Sequence, residues 1–592
     1  MYADESQQNQ AIALRNKGCG FFASEPQMVS DSPKLAPEWL DSATFLPSAI
    51  NDIGTRECYF YRNKIFKRHP YLANALANQY IKIYHDQNLR EANLFIGRID
   101  KVLIIHDLNL SDSVSDIKAF CEKTARQCHI IILKLGNNQK AYDKCKLIAK
   151  RYQIHIDDFD GNSPFIPTLN KLSCKKWWYR QVNKLRLQIT EQVLRKLNLV
   201  NKQRSCYASE FALQNRITQL QNSFDYLSSN SLVNDDGQEL SLLDIYNKSV
   251  SNPRIRKAEL MTRIRGFEEV ATEMGHAGEF YTLTAPSRMH AVLSSGKQNP
   301  KFDGSTPNDV NAYFNDNWKL IRSALSKRNI QPYGFRVVEP HHDGTPHWHL
   351  LLFMHPSDVK KTRFTIEKYA LKVDGNEKGA KQHRFKAISI DPNKGSASGY
   401  IAKYISKSID GSDIDQDLYG NQAKVAATKI DAWSSTWNIR QFQQIGGPSV
   451  TVWRELRRLK NSDNPDIVPA FTAADAGDWA AYVMAMGGAM LPRRNRPIHP
   501  FYETKTNDVI DTETGEVTQS NLTIYGDQKA PSIIGLICNN IIDKTHTRIW
   551  KKLMKPMTTC GTKHESSNKE LAKILWRDPR KREAPEYFLG LV

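Results

Sequence analysis

The sequence predicts a multidomain α+β protein, and three observations lead to this class. The chain has 592 residues, which is too long for one hydrophobic core, so we expect three or four domains. Hydrophobic residues make up 40% and charged residues 24%, which is typical of a folded chain rather than a disordered one. Strand-like segments joined by sharp turns are concentrated between residues 278 and 405, whereas helical spacing prevails elsewhere.

The net charge favours a polyanionic partner. Lysine and arginine total 82 against 63 aspartates and glutamates, which gives a formal charge of +19 and a pI near 9.3. Such a surplus attracts nucleic acid or an anionic membrane surface. We expect no membrane partner, because the sequence has no apolar run of about 18 residues and its start, MYADESQQNQ, does not resemble a signal peptide. The nine scattered cysteines form no CxxC pair, which argues against a zinc ribbon or a secreted disulfide scaffold and favours reduced thiols in a cytoplasm.

Residues 1–170 are predicted to form an N-terminal accessory region. Within it, residues 99–158 alternate between apolar runs and amphipathic stretches, which predicts a small α/β module with a parallel βαβαβ sheet. Its three expected strands are KVLIIHDL, HIIILKL and QIHIDD. No glycine-rich phosphate loop follows a strand, so we assign no nucleotide site to this module.

Residues 171–272 are predicted to be helical and to contact DNA. In this region Trp177, Trp178 and Arg180 lie among further lysines and arginines, and such mixed side chains can stack on bases and follow a phosphate backbone. The alternative is a helix that buries its tryptophan pair and exposes its charges to solvent. The sequence leaves both interpretations open.

Residues 273–420 are predicted to form a separate domain that contains three strands, at 279–286, 334–341 and 347–354. The dipeptide Asp343-Gly344 predicts a hairpin between the second and third strands. A helix is expected at 396–408, opened by a serine cap. The rest is divided into a helical extension at 421–500, with a small-residue helix at 475–490, and a basic C-terminal region at 501–592, with polar hairpins at 505–530 and a Lys/Arg-rich tail at 551–582.

The sequence His347-Trp348-His349 predicts a metal site. Side chains alternate along a strand, so both imidazoles share one face and can converge on a divalent ion. The hairpin brings Glu339 beside them, and a carboxylate supplies the oxygen ligand that Mg²⁺ or Mn²⁺ prefers. His341 and His342 lie near enough in sequence to compete as ligands. The alternative is a histidine pair that caps a sheet edge without metal.

Tyr400 and Tyr404 provide the second chemical element. Their i, i+4 spacing places them on one face of the predicted helix, with Lys403 and Lys407 nearby. A phenol that attacks a phosphodiester forms a phosphotyrosyl ester of similar energy, so the DNA bond can be remade without ATP. A divalent ion or a lysine could stabilise the charge that develops during this step.

Three motifs resemble those of a known family and occur in the same order along the chain. Segments 280–284 (FYTLT), 346–353 (PHWHLLLF) and 399–407 (GYIAKYISK) resemble the motifs of HUH endonucleases, named for a His–hydrophobe–His sequence, in their two-tyrosine form. The chain is more closely similar to the bacteriophage replication gene A proteins of temperate tailed phages. That similarity extends over about residues 170–460 and includes 252–271, 275–291 and 440–459.

This resemblance implies a fold and an activity. The fold would be a palm-like central antiparallel sheet flanked by helices. Glu339, His347 and His349 would hold the metal, Tyr400 and Tyr404 would be the nucleophiles, and Lys403 would lie beside the scissile phosphate. The activity would be nicking of one DNA strand at a replication origin, covalent attachment to the 5′ end and rejoining after rolling-circle synthesis. A host replicative helicase would be required, and the chain has no GxxxxGK[ST] loop of its own.

Further expectations concern DNA contacts, cell location and alternatives. Besides the helical region, we expect basic side chains to contact DNA at Lys407, Arg454, Arg457 and Arg458. The protein is expected in the bacterial cytoplasm, associated with the nucleoid, and its oligomeric state is left open. The alternatives are an HUH transposase or relaxase, and a non-catalytic single-stranded-DNA-binding protein. The order of histidines before tyrosines favours the replication class over a relaxase.

Overall fold

The computed structural model describes residues 53–157, 165–391, 395–411, 422–462, 464–510 and 515–554, together with 393, 416 and 420. It shows the expected α+β class, with many helices and several small sheets whose strands pair antiparallel. None of the helices in these ranges is long and apolar enough to cross a membrane.

The N-terminal part is helical, and the predicted parallel βαβαβ module is wrong. The segment HIIILKL continues a long helix that begins after the Ser113 cap, and its Leu133 is 71% exposed. An apolar run of this length fits either a strand or the end of a helix. The buried residues before it have helical spacing, so the helix continues through it. The two strands found here have two residues each and pair antiparallel. The elements are α1 (Arg56–Arg68), α2 (Ala73–Asp86), α3 (Leu89–Leu103), β1 (Ile104–Ile105), β2 (Leu108–Asn109), α4 (Val114–Leu135) and α5 (Gln139–Arg151).

The helices predicted over 171–272 are present. One short hairpin, with its turn at Asn234–Gly237, interrupts them. The elements are α6 (Phe165–Leu172), α7 (Lys175–Lys196), α8 (Glu210–Ser229), β3 (Asn230–Asn234), β4 (Glu239–Ser241), α9 (Leu242–Lys248) and α10 (Pro253–Glu273).

A five-stranded antiparallel sheet forms the centre of the protein. In spatial order its strands are β8 (Phe385–Ser389), β5 (Ala277–Leu283), β7 (Pro346–Met354), β6 (Tyr333–Pro340) and β9 (Phe442–Ile445). The three predicted strands are confirmed as β5, β6 and β7. The predicted hairpin joins β6 to β7, and Gly344 has a φ of +77° in its turn, a conformation that favours glycine.

Helices cover both faces of this sheet. The first face, which carries Phe280 and Leu351, packs against α10 and against α14 (Ala397–Ile409). The second face, which carries Trp348 and Leu350, packs against α11 (Pro307–Ser326) and α12 (Val359–Ala370). The helix predicted at 396–408 is therefore confirmed as α14, with Ser396 as its cap. The remaining helices near the sheet are α13 (Ala380–His383) and α15 (Ala423–Trp437).

The C-terminal part differs from the prediction in two places. The predicted helical extension at 421–500 is not continuously helical, because β9 separates α15 from α16 (Val450–Leu456). The helix predicted at 475–490 is shorter, because it is confined to α18 (Trp479–Ala485). A separate helix, α17 (Val468–Asp475), precedes it, and Gly477 between the two has a φ of +74°.

The final strands include the predicted polar hairpin, which pairs residues 507–510 with 517–520. The start of the basic tail pairs with β3, and residues 555–592 lie outside the described part of the chain. These strands are β10 (Ile498–Glu503), β11 (Asn507–Ile510), β12 (Val517–Ser520), β13 (Ser532–Cys538), β14 (Ile541–Lys544) and β15 (Trp550–Met554).

Candidate active site

Three predicted metal ligands come together on the first face of the sheet. One donor atom from each of Glu339, His347 and His349 lies within 4.8 Å of the others. The Nε2 atoms of His347 and His349 lie 3.9 and 3.7 Å from the same Oε2 atom of Glu339. The strand register explains the arrangement, since Glu339 is the cross-strand partner of His347 and the alternation of β7 places His349 on the same face.

The donor set fits a divalent cation. The Nε2 atom of His349 is buried and has no hydrogen-bond partner among the described residues, although it points towards Glu339. Its other ring nitrogen lies 3.1 Å from Thr282 Oγ1 on the neighbouring strand β5. An Nδ1–H that donates to Thr282 leaves the Nε2 lone pair facing the carboxylate, which is the orientation that a metal ligand needs. Two imidazoles and one carboxylate would leave further positions open for substrate oxygens.

The electrostatics of the site keep the histidines neutral. Burial lowers the pKa of His349 to about 3, helped by the nearby positive charge of Lys407. Burial also lowers the pKa of His347 well below its usual value, and the neighbouring His341 and His349 lower it further. A neutral imidazole is the form that binds a metal ion.

A lysine shares the carboxylate with the histidines. The Nζ atom of Lys407 lies 3.3 Å from Glu339 Oε2, and the Ser408 hydroxyl donates to Oε1 at 3.0 Å. Lys407 is only 8% exposed and its charge faces Glu339, so its contact with DNA stays a prediction. Lys403 is exposed, and its position beside the scissile phosphate stays a prediction. The helix explains this difference, because Lys407 follows Tyr404 by three residues and shares its face, whereas Lys403 is adjacent to Tyr404 in sequence.

Both tyrosines lie on the face of α14 that covers the site. The rings of Tyr404 and His349 have centroids 4.2 Å apart, and Tyr400 packs against Phe280 at 4.6 Å. The two tyrosine rings are 6.4 Å apart. Tyr404 is partly buried and Tyr400 is 38% exposed, and burial raises the pKa of each phenol. The phenols therefore occupy different environments beside one candidate metal site.

The N-terminus of the tyrosine helix is fixed from two sides. The side chain of Ser396 accepts a hydrogen bond from the backbone of Gly399, and Glu268 on α10 accepts from the backbone of Ala397 and Ser398. A carboxylate at this position satisfies free N–H groups and complements the helix dipole. The start of the helix that carries the tyrosines is therefore anchored to α10.

The hairpin that carries the histidines is braced by residues that the sequence analysis missed. Arg195 on α7 donates to the carbonyl of Asp343 at 2.9 Å and to the hydroxyl of Thr345 at 3.1 Å. Trp433 on α15 donates to the carbonyl of Gly344 at 2.8 Å. These contacts join positions about 90 to 150 residues apart, so no local sequence signal predicts them.

His341 and His342, the two alternative candidates for the third ligand, lie outside the triad. The ring of His341 lies against that of His347, with centroids 4.1 Å apart, but His341 does not belong to the group of converging donors. His342 is likewise outside this group, and its backbone carbonyl accepts from the amide of Tyr207. Glu339 therefore remains the third candidate ligand.

The sequence is similar to replication proteins of phages and prophages. The family model for the bacteriophage replication gene A protein matches residues 118–412. The chain is 41% identical over 351 residues to the replication gene A protein of Escherichia phage 186, which covers 57% of this chain and 51% of the relative. It is 36% identical over 511 residues to the probable replication protein P12 of Pseudoalteromonas phage PM2, which covers 79% of this chain and 76% of the relative.

The chain belongs to the bacteriophage replication gene A protein family. A third relative is the probable replication endonuclease from a prophage-like region of Salmonella typhimurium, which is 36% identical over 408 residues, 66% of this chain and 49% of the relative. The chain thus spans about half the length of the phage 186 and Salmonella relatives. No solved structure matches it.

The other residues of this gene A family member that were predicted to contact DNA differ in their exposure to solvent. Trp178 is fully buried and its indole donates to the carbonyl of Leu172 at 2.7 Å, so it is a core residue that cannot stack on a base. Trp177 is half-buried against it, whereas Arg180 is exposed and donates to the Tyr525 hydroxyl.

Two of the three arginines at the basic end of α16 are paired with carboxylates. Arg454 forms a two-bond ion pair with Glu259, at 2.7 and 2.8 Å, and Arg458 pairs with Glu455. Arg457 is exposed and forms no ion pair with a described carboxylate. Of these three arginines, Arg457 is therefore the one whose charge is available to a phosphate.

Proposed function

We propose that this protein is a metal-dependent endonuclease and strand transferase that initiates rolling-circle replication of phage or prophage DNA. The central support is the contact between Tyr404 and His349, which places a nucleophile candidate beside the Glu339–His347–His349 triad. Family membership agrees with it, since relatives are named replication proteins and replication endonucleases. In this proposal the five-stranded sheet is the palm of an HUH nickase.

The bound metal, Mg²⁺ or Mn²⁺, would polarise the scissile phosphate of a single-stranded origin sequence. The chain's own residues perform the transfer. The phenol oxygen of a tyrosine attacks the phosphorus, the bond from phosphorus to the 3′ oxygen breaks, and a 5′-phosphotyrosyl ester forms. The phenol proton passes to solvent and the departing 3′ oxygen leaves as a hydroxyl. The reverse attack by a 3′ hydroxyl rejoins the strand.

Two phenols on one helix allow two successive transfers. The tyrosine that carries the first 5′ end cannot cut again, whereas the second phenol remains free to cut the regenerated origin. The freed 3′ hydroxyl can then accept the first 5′ end and close a circle. Because both tyrosines belong to one chain, this second step is intramolecular, which raises the effective concentration of the nucleophile.

Other parts of the chain have supporting roles in this proposal. We assign the nickase to residues 273–420, DNA contact to 171–272, and accessory, helical and basic roles to 1–170, 421–500 and 501–592. Unwinding is left to a host replicative helicase, and the site of action is the bacterial cytoplasm at the nucleoid. The same constellation would also serve an HUH transposase or relaxase. We favour replication because the relatives are named for it.

The proposal is tested by incubating the purified protein with a pool of single-stranded oligonucleotides. With Mn²⁺ present, we expect a covalent protein–DNA band on a denaturing gel and its loss in EDTA. Origin specificity is tested by mapping 5′ ends in DNA that carries this protein's own gene. Tight binding without any covalent band would instead identify a non-catalytic DNA-binding protein.

A further inference from the structure

A large basic groove runs along the open edge of the central sheet. It has a volume of about 1060 Å³ and lies between α11, the edge strand β9 and the loop that follows β9. We call it the β9 groove. Its lining includes five positively charged side chains, and none of the described residues that line it is acidic: Arg263, Lys319, Arg322, Arg440 and Arg493.

Three of these charges have no carboxylate partner in the described part of the chain. Lys319 pairs with Asp316, and Arg263 is buried beside Glu259. In contrast Arg322, Arg440 and Arg493 are exposed and form no ion pair with any described carboxylate. The groove therefore has a surplus of at least three positive charges that face solvent, which attracts a polyanion.

The groove begins beside the metal site. On β6 and β9, Val337 pairs with Phe442, and the amide of Val338 donates to the carbonyl of Gln441 at 2.7 Å. Extending this register by one more residue places the backbone of Arg440 opposite Glu339. The groove therefore extends, at Arg440, to about one strand spacing (about 5 Å) from the backbone of Glu339.

The lining of the groove favours one form of polyanion. It combines arginines with the partly buried aromatic ring of Phe442. A single strand of a few nucleotides fits this space, and its phosphates can contact the arginines while its bases face the groove walls.

We propose that the β9 groove binds the phosphate backbone of single-stranded DNA next to the cleavage site. This inference rests on the proposed nickase function, because it assigns the groove to the same DNA strand. An acidic peptide would meet the same charges and could pair with the open edge of β9. The position of Arg440 opposite Glu339 favours the DNA strand over the peptide.

The test is a triple substitution, Arg322→Ala, Arg440→Ala and Arg493→Ala, in the full-length protein. The matched control removes three exposed charges from the N-terminal helices α4 and α5, as Arg126→Ala, Lys134→Ala and Lys150→Ala. Binding of fluorescent oligothymidylates of about 6 and about 20 nucleotides is measured by anisotropy over a range of salt concentrations. Thermal unfolding checks that both triple variants are folded.

We expect the groove variant to bind the longer probe about 100-fold more weakly at about 0.1 M salt. The slope of log affinity against log salt concentration should become shallower by about 2, because each lost phosphate contact on a single strand contributes about 0.7 to that slope. The control variant should bind like wild type. Equal losses in both variants, or no loss in the groove variant, would overturn the proposal. Competition by polyglutamate as strong as that by the oligonucleotide would also overturn it and favour the peptide.

Nicking assays on the same samples separate the two proposals. If wild type forms no covalent adduct but the groove variant still loses affinity, the nickase function fails and the groove assignment stands. If wild type forms the adduct and the groove variant binds like wild type, the groove assignment fails alone.

Discussion

The ion pair between Glu339 and Lys407 leads to a quantitative prediction about the metal-free protein. The carboxylate is 1% exposed and the lysine side chain is 10% exposed, and their charged atoms are 3.3 Å apart. Glu339→Gln keeps the shape of the side chain but leaves a buried ammonium group without a counter-ion. Breaking a buried pair in this way costs about 3–5 kcal/mol. We expect the free energy of unfolding to fall by that amount in EDTA.

The assay is urea unfolding followed by tryptophan fluorescence, since Trp348 and Trp433 are buried around the same hairpin. The double variant Glu339→Gln, Lys407→Met should recover most of the loss, because a methionine fills similar space without a charge. A loss below about 1 kcal/mol for Glu339→Gln, or no recovery in the double variant, would refute the reasoning.

A second buried carboxylate provides the matched control. Glu279 is also 1% exposed and pairs with Arg363, but that arginine side chain is 38% exposed. Glu279→Gln should cost less than Glu339→Gln, because water can solvate the guanidinium that it leaves behind. Equal costs for the two substitutions would show that the exposure of the partner does not control the effect.

The remaining predictions concern the imidazoles and the phenols. His347→Ala or His349→Ala should abolish nicking while oligonucleotide affinity, measured by anisotropy, stays within about threefold, since affinity comes from distributed charge. Tyr404→Phe should impair first-strand cleavage more than Tyr400→Phe, because its ring contacts His349; gel assays of single-turnover cleavage compare them. In EDTA, the free energy of unfolding should fall as the pH drops from about 6.5 towards 3, because the pKa values of His341 and His349 are lowered to about 3 in the folded protein. The expected loss is about 1.4 kcal/mol per histidine per pH unit, and urea unfolding measures it.

Local sequence signals were sufficient for the core of the candidate site. The Asp343-Gly344 turn and the alternation of β7 place His347 beside Glu339, and the spacing of the tyrosines places both on one helix face. These relations depend only on hairpin and helix geometry, which neighbouring residues determine. Their geometry could therefore be predicted without knowledge of the rest of the fold.

Contacts between distant elements could not be predicted in this way. Arg195 reaches the hairpin from α7, and the arginines of the β9 groove come from separate helices and loops. The position of Lys407 was accessible in part, since it follows Tyr404 by three residues, but its contact with Glu339 depends on how α14 packs on the sheet. The segment at residues 129–135 was misassigned because an apolar run of that length fits a strand or a helix equally well.

Mapping the covalent adduct tests the central claim most directly. The protein is incubated with Mn²⁺ and a single-stranded substrate from its own origin region, then digested, and the DNA-linked peptide is identified by mass spectrometry. We predict that the linked residue is Tyr400 or Tyr404 and that the double phenylalanine variant forms no adduct. An adduct at any other residue, or an adduct that persists in the double variant, would contradict the proposed mechanism.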